Sequence, residues 1–270
     1  MNSPVNPVEI IQGDGPIVLG MPHVGTFVPD EIRAHLNPRG QMLTDTDWHI
    51  ERLYDGLLPG VSVVRATFHR YVIDANRPPS GESLYPGRNT TGLVPLTDFD
   101  GQPLWDTEPD AAEIDRRRAA FHAPYHRALQ AELERVRARH GVAILYDCHS
   151  IRSHIPFLFE GKLPDFNVGT AHGTTCAPQI EAAVHDVVKA AEGYTSVLNG
   201  RFTGGWTTRH YGRPAEGFHA IQMELAQDTH LASEAPPFAY SPERAARLHP
   251  HLAEILARLA DLAPSLRAGA

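Results

Sequence analysis

Imidazole and carboxylate side chains accompany three apolar segments that lie far apart in the chain. His23 comes after residues 17–21, and His149 comes after residues 142–146. Glu224 lies within a third apolar segment, where an unpaired carboxylate is costly to bury, so we interpret it as paired or as an acid–base group with a shifted pKa. Two imidazoles that meet in one cleft suit a catalytic metal ion, which commonly takes three protein ligands and keeps a position for water.

Further candidate ligands stand in the segment DTDWHIERLY, which begins at Asp45. Asp45, Asp47 and His49 supply two carboxylates and an imidazole at a predicted helix start. Aspartate is also favoured at the beginning of a helix, where it caps backbone N–H groups and complements the helix dipole. The residues alone leave both roles open, although two histidine ligands require a third partner to complete a catalytic site.

Arginine side chains near the same segments suit an anionic substrate. Arg77 follows Asn76 after the apolar residues 71–73, and its guanidinium can bind a carboxylate through two parallel hydrogen bonds. The alternative role for this arginine is a surface salt bridge. Further candidates for contact with a substrate are Arg70, Arg152, Arg201 and Arg209.

Strand-like and helix-like segments alternate along the chain. Short β-branched or apolar runs predict strands over residues 17–21, 61–68, 71–73, 142–146 and 219–225. Helical patterns cover residues 45–54, 111–139, 179–191 and 242–262, and Pro124 is expected to kink or divide the second of them. The stretch 78–104 is rich in Pro, Gly and Asp, and we interpret it as a long functional loop.

This alternation predicts a single α/β domain over residues 1–270, with a mixed, mostly parallel sheet covered by helices on both faces. Ligands of such sheets bind where loops leave the carboxyl ends of the strands. We therefore expect His23, residues 147–150 and Glu224 to meet there, each at the end of a strand.

Composition argues against several other classes of protein. The 270 residues are 42% hydrophobic and 21% charged, which suits a globular core, and the net charge of -8 argues against nucleic-acid binding. No apolar stretch approaches the roughly 18 residues of a membrane helix, and residues 1–12 lack a signal-peptide pattern, so we expect a cytoplasmic protein without membrane contact. The apolar surroundings of Cys148 argue against a nucleophilic thiol, and the chain has neither a Gly-x-Ser-x-Gly motif nor a phosphate-binding loop.

Six stretches resemble the N-formylglutamate amidohydrolase family: MPHVG, DTDWHIERLY, RYVIDANRP, LYDCHSIRSHIPFLFEGKLPDFNVGT, LNGRFTGGWTTRHYG and IQMELAQ. They run from about residue 20 to residue 226 and cover most of the chain. The family is similar in fold to zinc carboxypeptidases and aspartoacylase, so the resemblance implies a zinc-carboxypeptidase-like fold. It also implies hydrolysis of N-formyl-L-glutamate to formate and L-glutamate in histidine degradation, with one zinc ion per chain and a small-molecule substrate.

Site residues follow from their positions in these stretches. The resemblance implies that His23 is the first zinc ligand and that His149 is the second. It implies that Glu224 is the general base, and that Asn76 and Arg77 form a substrate-binding pair.

The middle metal ligand departs from the pattern of the related peptidases. Those enzymes place a glutamate ligand three residues after the first histidine, where this chain has Thr26. The preferred middle ligand is therefore Asp47, and the alternatives are Asp45, His49 and Glu51.

The implied reaction needs groups for the formyl oxygen and for two substrate carboxylates. Arg70 is the candidate for stabilising negative charge on the formyl oxygen. Arg77 is the candidate for one carboxylate, and Arg152 or Arg209 for the other.

Iron or cobalt could take the place of zinc. The alternative functions are a zinc amidohydrolase or carboxypeptidase-like enzyme for another N-acyl amino acid, and a non-catalytic protein that binds acidic amino acids. The sequence does not indicate an oligomeric state.

Overall fold

A computed structural model describes residues 6–83, 87 and 89–267 of the chain. Among these residues, seven strands form one mixed sheet. In chain order the strands are β1 (Val8–Ile11), β2 (Ile17–Met21), β3 (Ser62–Ala66), β4 (Ala143–Ile151), β5 (Phe166–Gly169), β6 (Ser196–Leu198) and β7 (Phe218–Ala226). Their order across the sheet is β1-β3-β2-β4-β7-β5-β6. Neighbours are parallel except for the pairs β1–β3 and β5–β7.

Helices connect most of the strands. The α-helices are α1 (Asp30–Arg33), α2 (Ile50–Tyr54), α3 (Ala111–Arg117), α4 (Ala123–His140), α5 (Pro178–Ala190), α6 (Trp206–Tyr211) and α7 (Pro242–Leu262). A single π-helical turn, Arg118–His122, joins α3 to α4. Short 3-10 turns occupy Gly40–Met42, Pro214–Glu216, Gln227–Thr229 and Ala263–Leu266.

The sheet carries a hydrophobic core on each face. Leu145 and Tyr146 are consecutive residues of β4, so their side chains point to opposite faces. Leu145 belongs to the buried cluster that contains Leu129 of α4, whereas Tyr146 belongs to the cluster that contains Leu252 of α7. The predicted architecture, a mixed and mostly parallel sheet with helices on both faces, is confirmed.

One predicted strand and one predicted helix start are wrong, and three short strands were not predicted. Residues 71–73 form no strand: Tyr71 and Val72 lie in a turn, in which the backbone N–H of Val72 donates to the carbonyl of His69. The apolar character of this segment reflects burial and not strand pairing. The helix expected from residue 45 begins only at Ile50, because His49 has a left-handed backbone with φ of 61°. The strands β1, β5 and β6 were not predicted, since each is only three or four residues long.

The two central strands extend further than the sequence predicted. β4 continues to Ile151, so His149 lies inside a paired strand and not after it. β7 extends one residue beyond each end of the predicted strand 219–225, and Glu224 lies within it, as expected. The long loop over residues 78–104 contains no helix or strand among its described residues, as predicted; residues 84–86 and 88 lie outside the described part. None of the described helices combines the length and the apolar composition needed to cross a bilayer.

The loop that follows β2 passes very close to the segment after β3. The backbone N–H of Phe27 donates to the carbonyl of Thr67 at 3.1 Å. A Cβ atom added to Gly25 would lie 2.3 Å from the carbonyl carbon of Thr67, a contact that only glycine avoids. Gly25 therefore allows the close approach that fixes the loop containing His23.

We expect Gly25→Ala to lower the free energy of unfolding by about 1–3 kcal/mol, because the backbone must move to admit the methyl group. Gly92→Ala is the matched control, since its Cβ would meet its nearest neighbour, the carbonyl oxygen of Val94, at an ordinary 3.7 Å. Urea denaturation measures both variants. Equal midpoints for the two variants would show that the close approach does not constrain the fold.

Candidate metal centre and active-site cleft

His23, Asp47 and His149 come from three separate segments and meet at the carboxyl ends of the central strands. His23 follows β2, His149 lies in β4, and Asp47 stands in the loop before α2. The backbone N–H of Asp47 donates to the carbonyl of His23 at 3.1 Å, and the backbone N–H of Ser150 donates to Oδ2 of Asp47 at 3.1 Å. The loop is thereby tied to both histidine segments.

The three side chains have the composition and spacing of a metal site. One ligand atom from each of His23, Asp47 and His149 lies within 4.8 Å of the others, and all three residues are buried. Oδ2 of Asp47 is 3.1 Å from Nδ1 of His149 and 3.7 Å from Nδ1 of His23. Two imidazoles and one carboxylate are a common ligand set for a divalent ion with an open position.

Each histidine is oriented by a second carboxylate on the far side of its ring. Nε2 of His23 lies 2.7 Å from Oδ1 of Asp74, and Nε2 of His149 lies 3.1 Å from Oδ1 of Asp147. In both contacts the ring nitrogen that faces the second carboxylate is Nε2, which leaves Nδ1 as the nitrogen nearer to Asp47. A carboxylate behind the ring orients the imidazole, as is common for metal-binding histidines.

Two of the other candidates for the middle ligand, Asp45 and His49, bind other groups. Oδ2 of Asp45 accepts a hydrogen bond from the backbone N–H of Phe99 at 3.0 Å. Nε2 of His49 lies 3.0 Å from the carbonyl oxygen of Phe238. Among the described residues, the cluster that could hold an ion contains Asp47 but not Asp45, His49 or Glu51.

The electrostatics of the cluster favour a bound cation. Burial would raise the pKa of Asp47, but the charges of His23 and Arg70 outweigh burial and hold that pKa below its usual range. Burial would lower the pKa of His149, yet Asp147 and Asp47 raise it well above its ordinary value. Asp47, Asp74 and Asp147 are three buried acidic side chains in this region, and buried anions are stable only where positive charge compensates them.

Glu224 lies on β7 directly beside the metal ligands. Its register partner on β4 is His149. Burial raises the pKa of Glu224 to about 8, and the nearby His149 partly opposes the shift. Nε2 of Gln222, two residues earlier on the same strand face, donates to Oε2 of Glu224 at 3.1 Å. A carboxyl group with such a pKa can take up and release a proton near neutral pH.

A cleft opens beside this cluster. Arg70 lies where the cleft meets the metal ligands, since its guanidinium contacts Nδ1 of His23 and is 3.6 Å from Oδ1 of Asp47. Further lining residues are Asn76, Arg77, Asn89, Thr90, Thr91, Phe99, His149, Ser150, Ile151, Leu158, Arg201, Phe202, Gly205, Gln222 and Glu224.

The segment with Asn76 and Arg77 is held firmly at the cleft wall. Oδ1 of Asn76 accepts a hydrogen bond from the backbone N–H of Thr207 at 2.8 Å, and Nδ2 of Asn76 lies 3.2 Å from Nε2 of His149. The guanidinium of Arg77 donates to the carbonyl and hydroxyl oxygens of Thr91 at 2.8 and 3.0 Å. Asn76 therefore lies beside the candidate metal cluster, and Arg77 lines the same cleft.

Two of the arginines chosen from the sequence lie outside the cleft. Arg152 is 3.0 Å from Oδ1 of Asp100 and lines a different depression of the surface. Arg209 is exposed and donates to the carbonyl of Gly204 and to the hydroxyl of Thr203. These positions correct the expectation that either side chain faces the cleft, because neighbouring polar groups draw each guanidinium away.

Arg201 lines the cleft instead. Its Nε donates to the carbonyl of Leu158 at 3.0 Å, and its NH2 group donates to the carbonyl of Asn89 at 2.9 Å. Arg201 was only one of several arginines noted in the sequence, and its place in a Gly-rich loop after β6 is the signal that could have ranked it higher. Asp74 as the partner of His23 was also missed, although it stands directly before the predicted substrate segment.

The sequence of most of this chain is similar to that of known proteins. The profile of the family described as N-formylglutamate amidohydrolase matches residues 15–231. An N-formylglutamate deformylase of Pseudomonas aeruginosa is 47% identical over 251 residues, which cover 92% of this chain and 94% of that protein. An N-formylglutamate deformylase of Pseudomonas putida is 49% identical over 232 residues, which cover 85% of this chain and 86% of that protein.

Two solved structures share the fold of this chain. The crystal structure of N-formylglutamate amidohydrolase from Ralstonia eutropha has a TM-score of 0.78 and 26% identity, and the match covers 98% of this chain and 100% of that one. A gene product of Agrobacterium tumefaciens with 18% identity shares the fold, with a TM-score of 0.71 and coverage of 94% and 95%. The family profile and the curated relatives both span most of the chain, and this chain therefore belongs to the N-formylglutamate amidohydrolase family.

Proposed function

We propose that this chain is a zinc-dependent enzyme that hydrolyses N-formyl-L-glutamate to formate and L-glutamate as a step of histidine degradation. The observation that carries the proposal is the buried cluster of His23, Asp47 and His149 beside a cleft lined by arginines. The substrate is taken from the relatives, which are named N-formylglutamate deformylase and are up to 49% identical.

Zinc is the proposed ion because two imidazoles and a carboxylate, with carboxylates behind both imidazoles, form a typical catalytic zinc site. His23, Asp47 and His149 would hold it. When bound, the ion supplies Lewis-acid activation of a water molecule and of the formyl oxygen.

Glu224 carries the proton transfers in this proposal. Its carboxyl group lines the cleft opposite His149, where it can accept a proton from the attacking water and deliver it to the leaving nitrogen of glutamate. Arg70 stabilises the negative charge that develops on the formyl oxygen, since its guanidinium reaches the cleft beside His23 and Asp47.

Arg77 and Arg201 are the proposed partners of the two substrate carboxylates. Both line the cleft, whereas Arg152 and Arg209 do not. The guanidinium of Arg201 is held by backbone carbonyls from two different loops, so it is ordered before a ligand arrives. An ordered arginine loses little side-chain freedom when it binds a carboxylate.

The purified protein is expected to release formate from N-formyl-L-glutamate and to do so more efficiently than it cleaves the N-acetyl or N-formimino analogue. Chelation should abolish this activity, and zinc added back should restore it, because the ion activates water. Kinetic assays and metal analysis measure both effects, with iron and cobalt as parallel additions. Full turnover by protein shown to contain no metal would contradict the proposal, and preference for another acyl group would reassign the substrate.

Glu224→Gln is expected to reduce kcat by about 10²–10⁴-fold, because the amide cannot relay a proton. Bound zinc, measured by elemental analysis, should stay at the wild-type ratio. Glu192→Gln is the matched control, since Glu192 is exposed and does not line the cleft. Turnover of Glu224→Gln close to that of the control would remove Glu224 from the reaction.

Arg77→Lys and Arg201→Lys should each raise KM for N-formyl-L-glutamate on the order of 10- to 100-fold, since lysine loses the two-pronged contact with a carboxylate. Arg152→Lys serves as the control and should leave KM unchanged, because Arg152 lies outside the cleft. Thermal melting of each variant separates lost binding from lost folding. A KM that rises for Arg152→Lys but not for Arg201→Lys would reverse the assignment.

A further inference from the structure

Two histidines outside the metal cluster bind the backbone on either side of Asn76. Nε2 of His126 lies 2.8 Å from the carbonyl oxygen of Ala75, and Nε2 of His122 lies 2.9 Å from the carbonyl oxygen of Arg77. A carbonyl oxygen only accepts hydrogen bonds, so Nε2 is the protonated nitrogen of each ring and donates. The two donors hold the segment 75–77 like a clamp with Asn76 at its centre.

The helix geometry places both histidines on one side. His122 ends the π-helical turn Arg118–His122, and His126 follows four residues later in α4, so the two rings are neighbours on one helix face. Pro124 lies between them and cannot donate the usual backbone hydrogen bond to the preceding turn. Single π-helical turns of this kind occur frequently at functional sites.

The clamp completes a set of contacts that fixes the direction of the Asn76 side chain. The backbone N–H of Asn76 donates to Oδ1 of Asp74, and Oδ1 of Asn76 accepts from the backbone N–H of Thr207, each at 2.8 Å. Gly205 leaves room for the amide, since a Cβ at that position would lie 2.3 Å from Nδ2 of Asn76. The Nδ2 group of Asn76 is then directed into the cleft, beside His149.

Trp206 links the clamp to the helix that holds the amide oxygen. Its ring meets His126 edge-on with a centroid distance of 4.6 Å, and the corresponding distance to His122 is 5.7 Å. Trp206 is the first residue of α6, and the second residue, Thr207, supplies the N–H that binds Oδ1 of Asn76. Burial lowers the pKa of both histidines, so each stays neutral and keeps one N–H donor.

We propose that His122 and His126 are positioning residues that aim Asn76 and Arg77 at the substrate without touching it. The inference rests on the proposed function, in which Asn76 and Arg77 bind N-formyl-L-glutamate. Neither histidine lines the cleft, and neither belongs to the metal cluster. Their loss should therefore weaken substrate binding while the metal ion and the proton transfer through Glu224 are retained.

His122→Leu and His126→Leu are expected to raise KM for N-formyl-L-glutamate by about 10-fold or more, since a misdirected amide and guanidinium lose hydrogen bonds to a charged substrate. Bound zinc should be unchanged, and kcat should fall less than about threefold, because Glu224 and the metal ligands are not displaced. His122→Gln and His126→Gln should recover most of the wild-type KM, because an amide N–H of glutamine can replace the Nε2 donor. These conservative variants also test the inference if the leucine variants fold poorly.

His210→Ala is the matched control. His210 stacks on Trp206 with a centroid distance of 4.4 Å and is exposed, but within the described residues it makes no hydrogen bond to the segment 75–77. Its loss should leave KM unchanged. An unchanged KM in the leucine variants, or glutamine variants no better than leucine, would overturn the positioning role.

Crystal structures of the leucine variants give a readout that does not depend on activity. The inference expects the Asn76 amide to turn away from Thr207, and an unmoved Asn76 would overturn it. Failure of the proposed function is seen separately, as a wild-type protein that releases no formate from N-formyl-L-glutamate.

Discussion

The contact of one buried carboxylate with two imidazoles determines how the rest of this site is built. Oδ2 of Asp47 lies 3.1 and 3.7 Å from the Nδ1 atoms of His149 and His23, and all three side chains are almost fully buried. Removing the Asp47 carboxylate from water is costly, and this cost is offset only while both imidazoles stay in contact with it. The backbone hydrogen bonds from Asp47 to His23 and from Ser150 to Asp47 keep them there.

The sheet makes this contact feasible because β2, β4 and β7 are adjacent and parallel. Gly20 of β2 pairs with Asp147 of β4, so His149 projects from β4 at the level where β2 has already ended. β4 and β7 continue together past that point and place Glu224 opposite His149. The cleft thus forms where the short strand β2 ends beside its longer neighbour β4, at the carboxyl ends of the strands, as is usual for ligand sites of α/β sheets.

The sequence predicts that the site lies at the carboxyl ends of the strands. It does not predict which of several neighbouring side chains belongs to the site. His23 and Glu224 could be assigned to these strand ends because each accompanies an apolar strand, and the pattern of such strands is local. Asp47 could not be separated from Asp45 on the same grounds, since both are buried and only their partners from distant segments, Ser150 and Phe99, distinguish them. The end of β4 was placed too early, because polar residues that face a buried site interrupt the apolar pattern without ending the strand.

Arginine positions were the hardest part of the site to predict. A long, flexible side chain reaches several ångströms from its own backbone, so its sequence neighbours do not determine where the guanidinium lies. Arg152 is drawn to Asp100, while Arg201 is held at the cleft by carbonyls of residues far away in the chain. Asp74 shows the same dependence on distant contacts: its Oδ1 atom accepts from Nε2 of His23 at 2.7 Å and from the backbone N–H of Asn76 at 2.8 Å. One oxygen atom thereby joins the candidate metal ligand His23 to the proposed substrate-binding residue Asn76, which makes the orientations of the two side chains depend on each other.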